Sequence, residues 1–242
     1  MPASVGRGFS AGDVKRDLTC KRRALGCWTF QRLWCGSLSW SGETMQDGLK
    51  RYAVKLVGIA PLIMSNGQMA DPLNEWAVAL KDLSGKRKKS DSDHAEMGRL
   101  EFMGRLYTDD AGHPCIPSAN LNALIVKGAK KSKEGTVAKT GILVDGQRWL
   151  LDYPGPKDPK KLWADRNYVS RARVSMKSSG SSVMRTRPMF PVWSIRFEVL
   201  AHADLVNGRQ LESWLHRAGR EVGMCDWTPQ HGRFTVEEFV AM

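Results

Sequence analysis

Val192-Trp193-Ser194-Ile195-Arg196-Phe197-Glu198-Val199-Leu200 alternates residue by residue: Trp193, Ile195, Phe197 and Val199 fall on one side, Ser194, Arg196 and Glu198 on the other. A period of two marks a strand with one buried face. Asn207 then opens a run in which Leu211, Trp214, Leu215, Ala218 and Val222 recur at helical spacing. Asn207 is the expected N-cap, and Gly223 the residue just past the helix end. After the turn-rich Cys225-Asp226-Trp227-Thr228-Pro229-Gln230-His231-Gly232, a short strand is expected over residues 233–237. Strand, helix, strand in this order is half of a ferredoxin-like fold. The expected class is therefore α+β, with a ferredoxin-like or RRM-like βαββαβ core carrying insertions.

Working outward, residues 52–63 read as a first strand, ended by Ser65-Asn66-Gly67. Asp71-Pro72 has the form of a helix start, with Trp76, Ala79, Leu80 and Leu83 as the apolar stripe behind it. Residues 85–93 look like a charged loop and residues 100–108 like a strand. Ser118 is the expected cap of a second helix with Leu121, Leu124, Ile125 and Ala129 facing inward. Lys127, Lys130 and Lys131 crowd its end, where cations also suit the helix dipole. Asp145-Gly146 predicts a hairpin over residues 142–151. The organisation expected is one domain over residues 45–242, with insertions at 65–100 and 141–190. Residues 1–44 hold three of the five cysteines and show no sustained period, so they read as an unstructured or non-native N-terminal extension, dispensable for folding and binding.

Within the second insertion, Arg171 and Arg173 share one side of a strand-like stretch. Arg185 and Arg187 share one side of another, and Lys177 sits in the Ser/Gly-rich tip between them. The pair forms a basic β-hairpin arm suited to a charged backbone. The plainer reading is that these arginines pair with nearby acids, Glu198 or Asp165, and brace the fold.

The formal net charge of +12 over 242 residues gives the chain an attraction for polyanions, of which nucleic acid is the commonest. No apolar run reaches the roughly 18 residues of a membrane span. The five cysteines, Cys20, Cys27, Cys35, Cys115 and Cys225, lack paired metal spacing, which fits reduced thiols in a cytoplasm.

The order of elements resembles the RAMP (repeat-associated mysterious protein) superfamily, in particular the backbone subunit that lines CRISPR RNA in effector complexes. The residues that carry the likeness are Ile59-Ala60-Pro61-Leu62, Ile116-Pro117-Ser118 ahead of the lysine-tipped helix, residues 218–224 and Gly232-Arg233-Phe234. The resemblance covers about residues 51–239. It implies binding along RNA with self-association on the ligand, in a CRISPR complex or as a stand-alone phage or mobile-element protein. The basic arm and the lack of a catalytic constellation favour binding of RNA or single-stranded DNA without cleavage, and a protein-interaction or virion component whose charge is incidental is a third reading. The contrasting class is a metal-independent RNA-processing endonuclease, which needs a histidine acid or base. Of the five histidines only His231, in the turn before Gly232, has a placement worth examining, and no partner stands at a recognisable spacing. No cofactor motif or metal-ligand set is present. Trp149, Tyr153 and Phe234 are candidates for stacking on bases, although an aromatic in a strand is more often core. The candidate contact residues are thus Arg171, Arg173, Lys177, Arg185, Arg187, Lys127, Lys130 and Lys131.

Overall fold

The structure, a computed structural model, describes residues 48–175 and 182–242. The expectations for residues 1–44 and for Lys177 lie outside these. Among the described residues the strands are β1 (Leu49–Gly58), β2 (Leu62–Ile63), β3 (Cys115–Pro117), β4 (Ile142–Val144), β5 (Arg148–Asp152), β6 (Val169–Ser175), β7 (Ser182–Phe190), β8 (Ser194–His202) and β9 (Phe234–Ala241). The helices are α1 (Glu75–Gly85), α2 (Asp91–Arg105), α3 (Ser118–Lys130), α4 (Gly135–Gly141), α5 (Pro159–Ala164) and α6 (Gly208–Arg217).

The main sheet runs β3-β5-β8-β1-β9, with β4 also paired to β8. β1 is antiparallel to both β8 and β9, and β4 and β5 are antiparallel to β8. Taking β1, α3, β4/β5, β8, α6 and β9 as the six units, the spatial order is fourth, first, third, second. That is the ferredoxin-like βαββαβ arrangement, and the fold is α+β as the anchor stretch implied. Tyr52, Val54 and Leu56 of β1 and Ile195, Phe197, Val199 and Ala201 of β8 are buried in the core. They meet Leu121, Leu124, Ile125 and Ala129 of α3 and Leu211, Trp214 and Leu215 of α6 in the same cluster. Asn207 caps α6 as expected, its side chain accepting from the Gln210 N–H (2.9 Å). A π-helical turn over Ala218–Val222 carries the helix to Gly223, whose φ of 83° ends it.

Several local expectations are corrected. Residues 100–108 are not a strand: α2 covers most of them, started by a capping box between Ser90 and Asp93. Its buried positions include Gly98, Glu101 and Gly104, so the apolar period that would announce a helix is missing from the sequence. The cap of α1 is Asn74 rather than Asp71, which instead accepts from the Leu73 N–H in a turn. Ser118 lies inside α3 and donates its hydroxyl to the Asp145 carbonyl (3.1 Å), while Pro117 occupies the cap. Residues 52–63 break after Gly58, and Leu62–Ile63 crosses to a second sheet, order β2-β7-β6. Residues 142–151 form no hairpin. β4 pairs with Val199–Ala201 of β8, and β5 runs on in the same direction to pair with Ser194 and Ile195. Asp145 to Gln147 is a bulge in one interrupted strand, turned by Gly146 at φ 68°. Residues 142–152 therefore belong to the core sheet and not to an insertion. No helix among the described residues is long and apolar enough to cross a membrane.

Candidate nucleic-acid interface

The arm exists, with β6 and β7 paired from Val169↔Pro188 to Ser175↔Ser182. Residues opposite each other in an antiparallel pair share a face. Arg171 and Arg173 lie opposite Thr186 and Met184, whereas Arg185 and Arg187 lie opposite Ala172 and Ser170. The four arginines thus occupy two opposite faces of the arm.

The faces differ in what surrounds them. Arg171 and Arg173 are exposed, and among the described residues neither has an acidic partner. Arg185 donates to the Glu101 carboxylate (2.6 Å), whose second oxygen accepts from the Thr186 N–H (2.8 Å). Glu101 is only 6% exposed, so α2 delivers a buried anion to the edge of β7. Arg187, its side chain 13% exposed, lies 3.2 Å from the Asp226 carboxylate and 5.9 Å from the centre of the Trp227 ring. Its Nε is buried without an aligned hydrogen bond: the distance to Asp226 suits an ion pair, the direction does not. The acids that hold this face are Glu101 and Asp226, not Glu198 or Asp165. Glu198 accepts from Arg51, and Asp165 caps the turn that follows it by accepting from the Asn167 N–H.

Asp226 belongs to the loop between the π-helical turn and β9. Cys225 and Trp227 on either side of it have φ of 64° and 59°, conformations rare outside glycine. The loop is held by the Asp226 N–H donating to the Ile63 carbonyl (3.0 Å) and by the Met224 N–H donating to the Gly232 carbonyl (2.8 Å). It walls a polar cleft of about 260 Å³ shared with Ser65, Tyr107, Asn120 and Lys127. Behind Ser65, Arg105 donates to its hydroxyl (2.6 Å). Burial lowers that guanidinium from its ordinary range and Glu101 opposes the shift. Burial likewise pushes the Cys225 thiol up to about 12, with the Asp226 charge adding to it.

Of the lysines, Lys127 lines this cleft, and Lys130 and Lys131 are exposed at the end of α3. Lys127 and the Asp226 that holds Arg187 therefore line one cleft, and Lys127 and Arg187 stand 60 residues apart in sequence. Trp227, 39% exposed beside Arg187, is an aromatic that sequence reasoning missed. Its only signal was its place in a turn-rich segment. The three aromatics proposed for stacking are engaged in the fold. Phe234 is buried against Trp193, Tyr153 packs against Tyr168 and Phe190, and Trp149 donates its indole N–H to the Asp145 carbonyl (2.8 Å). His231 meets Trp227 edge-on at 5.2 Å, with its Nδ1 buried and unpartnered.

The open face of the main sheet, where an RRM would present its aromatics, carries ion pairs instead. Arg51 bridges Asp145 and Glu198, Lys55 pairs with Glu237 (2.5 Å) and Arg196 with Glu238 (3.2 Å). Cations there are neutralised by their own sheet.

No family model matches the chain, and no curated protein matches it. Among solved structures, it is similar to a chain in the cryo-EM structure of the Type III-B Cmr-beta bound to cognate target RNA. The TM-score is 0.45 and the identity 8%, over 81% of this chain and 62% of that one. The chain thus spans less than two thirds of that neighbour's length, and the likeness is too distant to assign a function.

Proposed function

We propose that this protein binds single-stranded nucleic acid, RNA in the first place, along its phosphate backbone and without cleaving it. The observation that supports this most is the uneven pairing of its charges. The open sheet face is compensated pair by pair, while Arg171 and Arg173 on the arm and Lys127, Lys130 and Lys131 at the end of α3 project without acidic partners among the described residues. Like charges gathered at a surface repel one another until a polyanion neutralises them. Such contacts release counterions, so affinity should fall steeply with salt. The finer reading is that of a RAMP-type backbone subunit, one protomer following another along the RNA. It draws on the βαββαβ order and on insertions placed ahead of α3 and ahead of β8.

The test is a gel-shift titration of labelled single-stranded RNA, single-stranded DNA and duplex, with and without magnesium, over a range of salt. The expected result is a shifted, intact single strand whose affinity has a negative logarithmic salt slope. Absence of a shift at low salt defeats the proposal. Cleavage that disappears in His231→Ala replaces it with the endonuclease reading.

A further inference from the structure

A second recess lies on the Arg171 face of the arm, away from the Asp226 loop. α2, the segment that follows α5 and the two arm strands enclose a groove of about 600 Å³ whose lining includes His94, Gly98, Trp163, Arg166, Arg171 and Thr186. It continues past Arg171 and Thr186 into a smaller recess reaching Met97 and Met184. Among the described residues no carboxylate lines the larger groove. Two acids close by in the fold are already engaged: Glu101 with Arg185 and the Thr186 N–H, Asp165 with the Asn167 N–H. The floor is set by Gly98, where an added Cβ would sit 3.3 Å from the Thr186 hydroxyl and 3.5 Å from the Trp163 ring. Glycine here lets α2 approach closely enough for the indole to form a wall. Trp163 is half-buried and steadied from behind by Phe102, with ring centres 5.4 Å apart.

We infer that this groove holds one nucleotide of the bound single strand, its base against the Trp163 indole and its phosphate between Arg166 and Arg171. The inference rests on the reading of the protein as a nucleic-acid binder and adds a site that reading does not require. The chemistry is specific to a nucleotide unit. Two guanidinium groups without an acidic partner among the described residues attract a phosphate, and the half-buried indole beside them offers the sequence-tolerant aromatic surface on which bases stack. A purely apolar peptide would leave both arginines unsatisfied, and a plain anion would make no use of the indole. The site also explains why the Arg171 face remains unpaired while Arg185 and Arg187 are held by the fold.

The test is photocrosslinking of the full chain to a short single-stranded RNA carrying 4-thiouridine, with crosslinked peptides mapped by mass spectrometry. Crosslinks are expected in the segment containing Trp163 as well as at the arm or the end of α3. The exposed-residue variant Arg166→Glu should abolish the Trp163 crosslink, keep the crosslinks at α3, and weaken RNA binding about tenfold. A Trp163→Phe variant retains a stacking surface and should bind within a few-fold of the parent. Crosslinks confined to the arm and α3, with Arg166→Glu binding normally, overturn the groove and leave the proposed function standing. No crosslinks anywhere and no gel shift remove both.

Discussion

One hairpin carries the same residue type on both of its faces, and the two faces do different work. Arg185 and Arg187 are clasped by carboxylates contributed from α2 and from the loop ahead of β9. Arg171 and Arg173, one strand across, stand in solvent. The difference arises not in the hairpin but in what packs beside it. α2 borders both faces, but the acid it brings to the free edge of β7, Glu101, is taken by Arg185 and the Thr186 N–H, and what it presents beside Arg171 is His94 and Gly98. Basic residues in an arm are thus not one class, and a count of them overstates the charge left free for a ligand.

The largest effect should come from removing the clasp. Glu101→Ala leaves a partly buried guanidinium and the Thr186 N–H without their acceptor, and should cost about 3 kcal/mol of stability in urea denaturation. The salt slope of RNA binding should stay as it was. A flattened slope with unchanged stability would mean that Glu101 tunes binding rather than bracing the arm.

Exchanging the faces sharpens the contrast. Arg171→Ala with Arg173→Ala should leave stability within about 0.5 kcal/mol of the parent. Each removed contact should flatten the logarithmic salt slope by about 0.7. Arg185→Ala with Arg187→Ala should do the reverse, losing about 2 kcal/mol with the slope preserved. Identical behaviour of the two double variants would erase the distinction between the faces.

A chemical readout reaches the Arg187 clasp directly. Burial pushes the Cys225 thiol up to about 12 and the Cys115 thiol up to about 11, so both should resist alkylation at pH 8 in the native protein. Arg187→Ala removes the cation beside Asp226 and should loosen the loop. Cys225 should then label several-fold faster, by peptide mapping, while Cys115, remote in the β3 strand, keeps its rate. Equal acceleration of both would indicate general destabilisation rather than release of the loop.

Legibility in the sequence followed the range of the interaction. The alternation over residues 192–200 and the stripe from Leu211 to Val222 are local, and β8 and α6 came out where those periods put them. α2 was misread because Gly98, Glu101 and Gly104 occupy positions an apolar stripe would normally fill. Each is there for a tertiary reason: close approach to the arm, a clasp, and contact with Met69. Asp145-Gly146 signalled a turn correctly, but whether a turn reverses a strand or only bulges it is decided by β8, some 50 residues later. At the site, alternation assigned the arginines to faces, and register then set the two pairs back to back. The acids were beyond reach, since Glu101 lies 84 residues from Arg185 and inside a segment read as a strand. The groove at Trp163 joins the run from Trp163 to Arg171 to α2 and β7, which lie more than 60 residues before it and some 15 after it, so the run alone does not announce a groove.

The smallest effect belongs to the open face of the main sheet, the third setting in which an arginine occurs. Arg51 there bridges Asp145 and Glu198, with all three side chains about one third exposed. Solvent screens such a cluster, so Asp145→Asn should cost no more than about 0.5 kcal/mol. Its pH dependence has a definite sign. The Gly146 N–H, and after it the Arg51 guanidinium, hold the Asp145 carboxyl below the usual carboxylate range. A group whose folded pKa is depressed contributes stability above its unfolded pKa and loses it as pH falls through the folded value. The parent should therefore shed this small increment on acidification below the ordinary carboxylate range, and Asp145→Asn should not. The two stability curves should converge at low pH and separate slightly near neutrality. RNA affinity should be the same for both, because this arginine is already neutralised by its own sheet. Tighter or weaker binding by Asp145→Asn would place the open face in the interface and extend the contact surface beyond the arm and the end of α3.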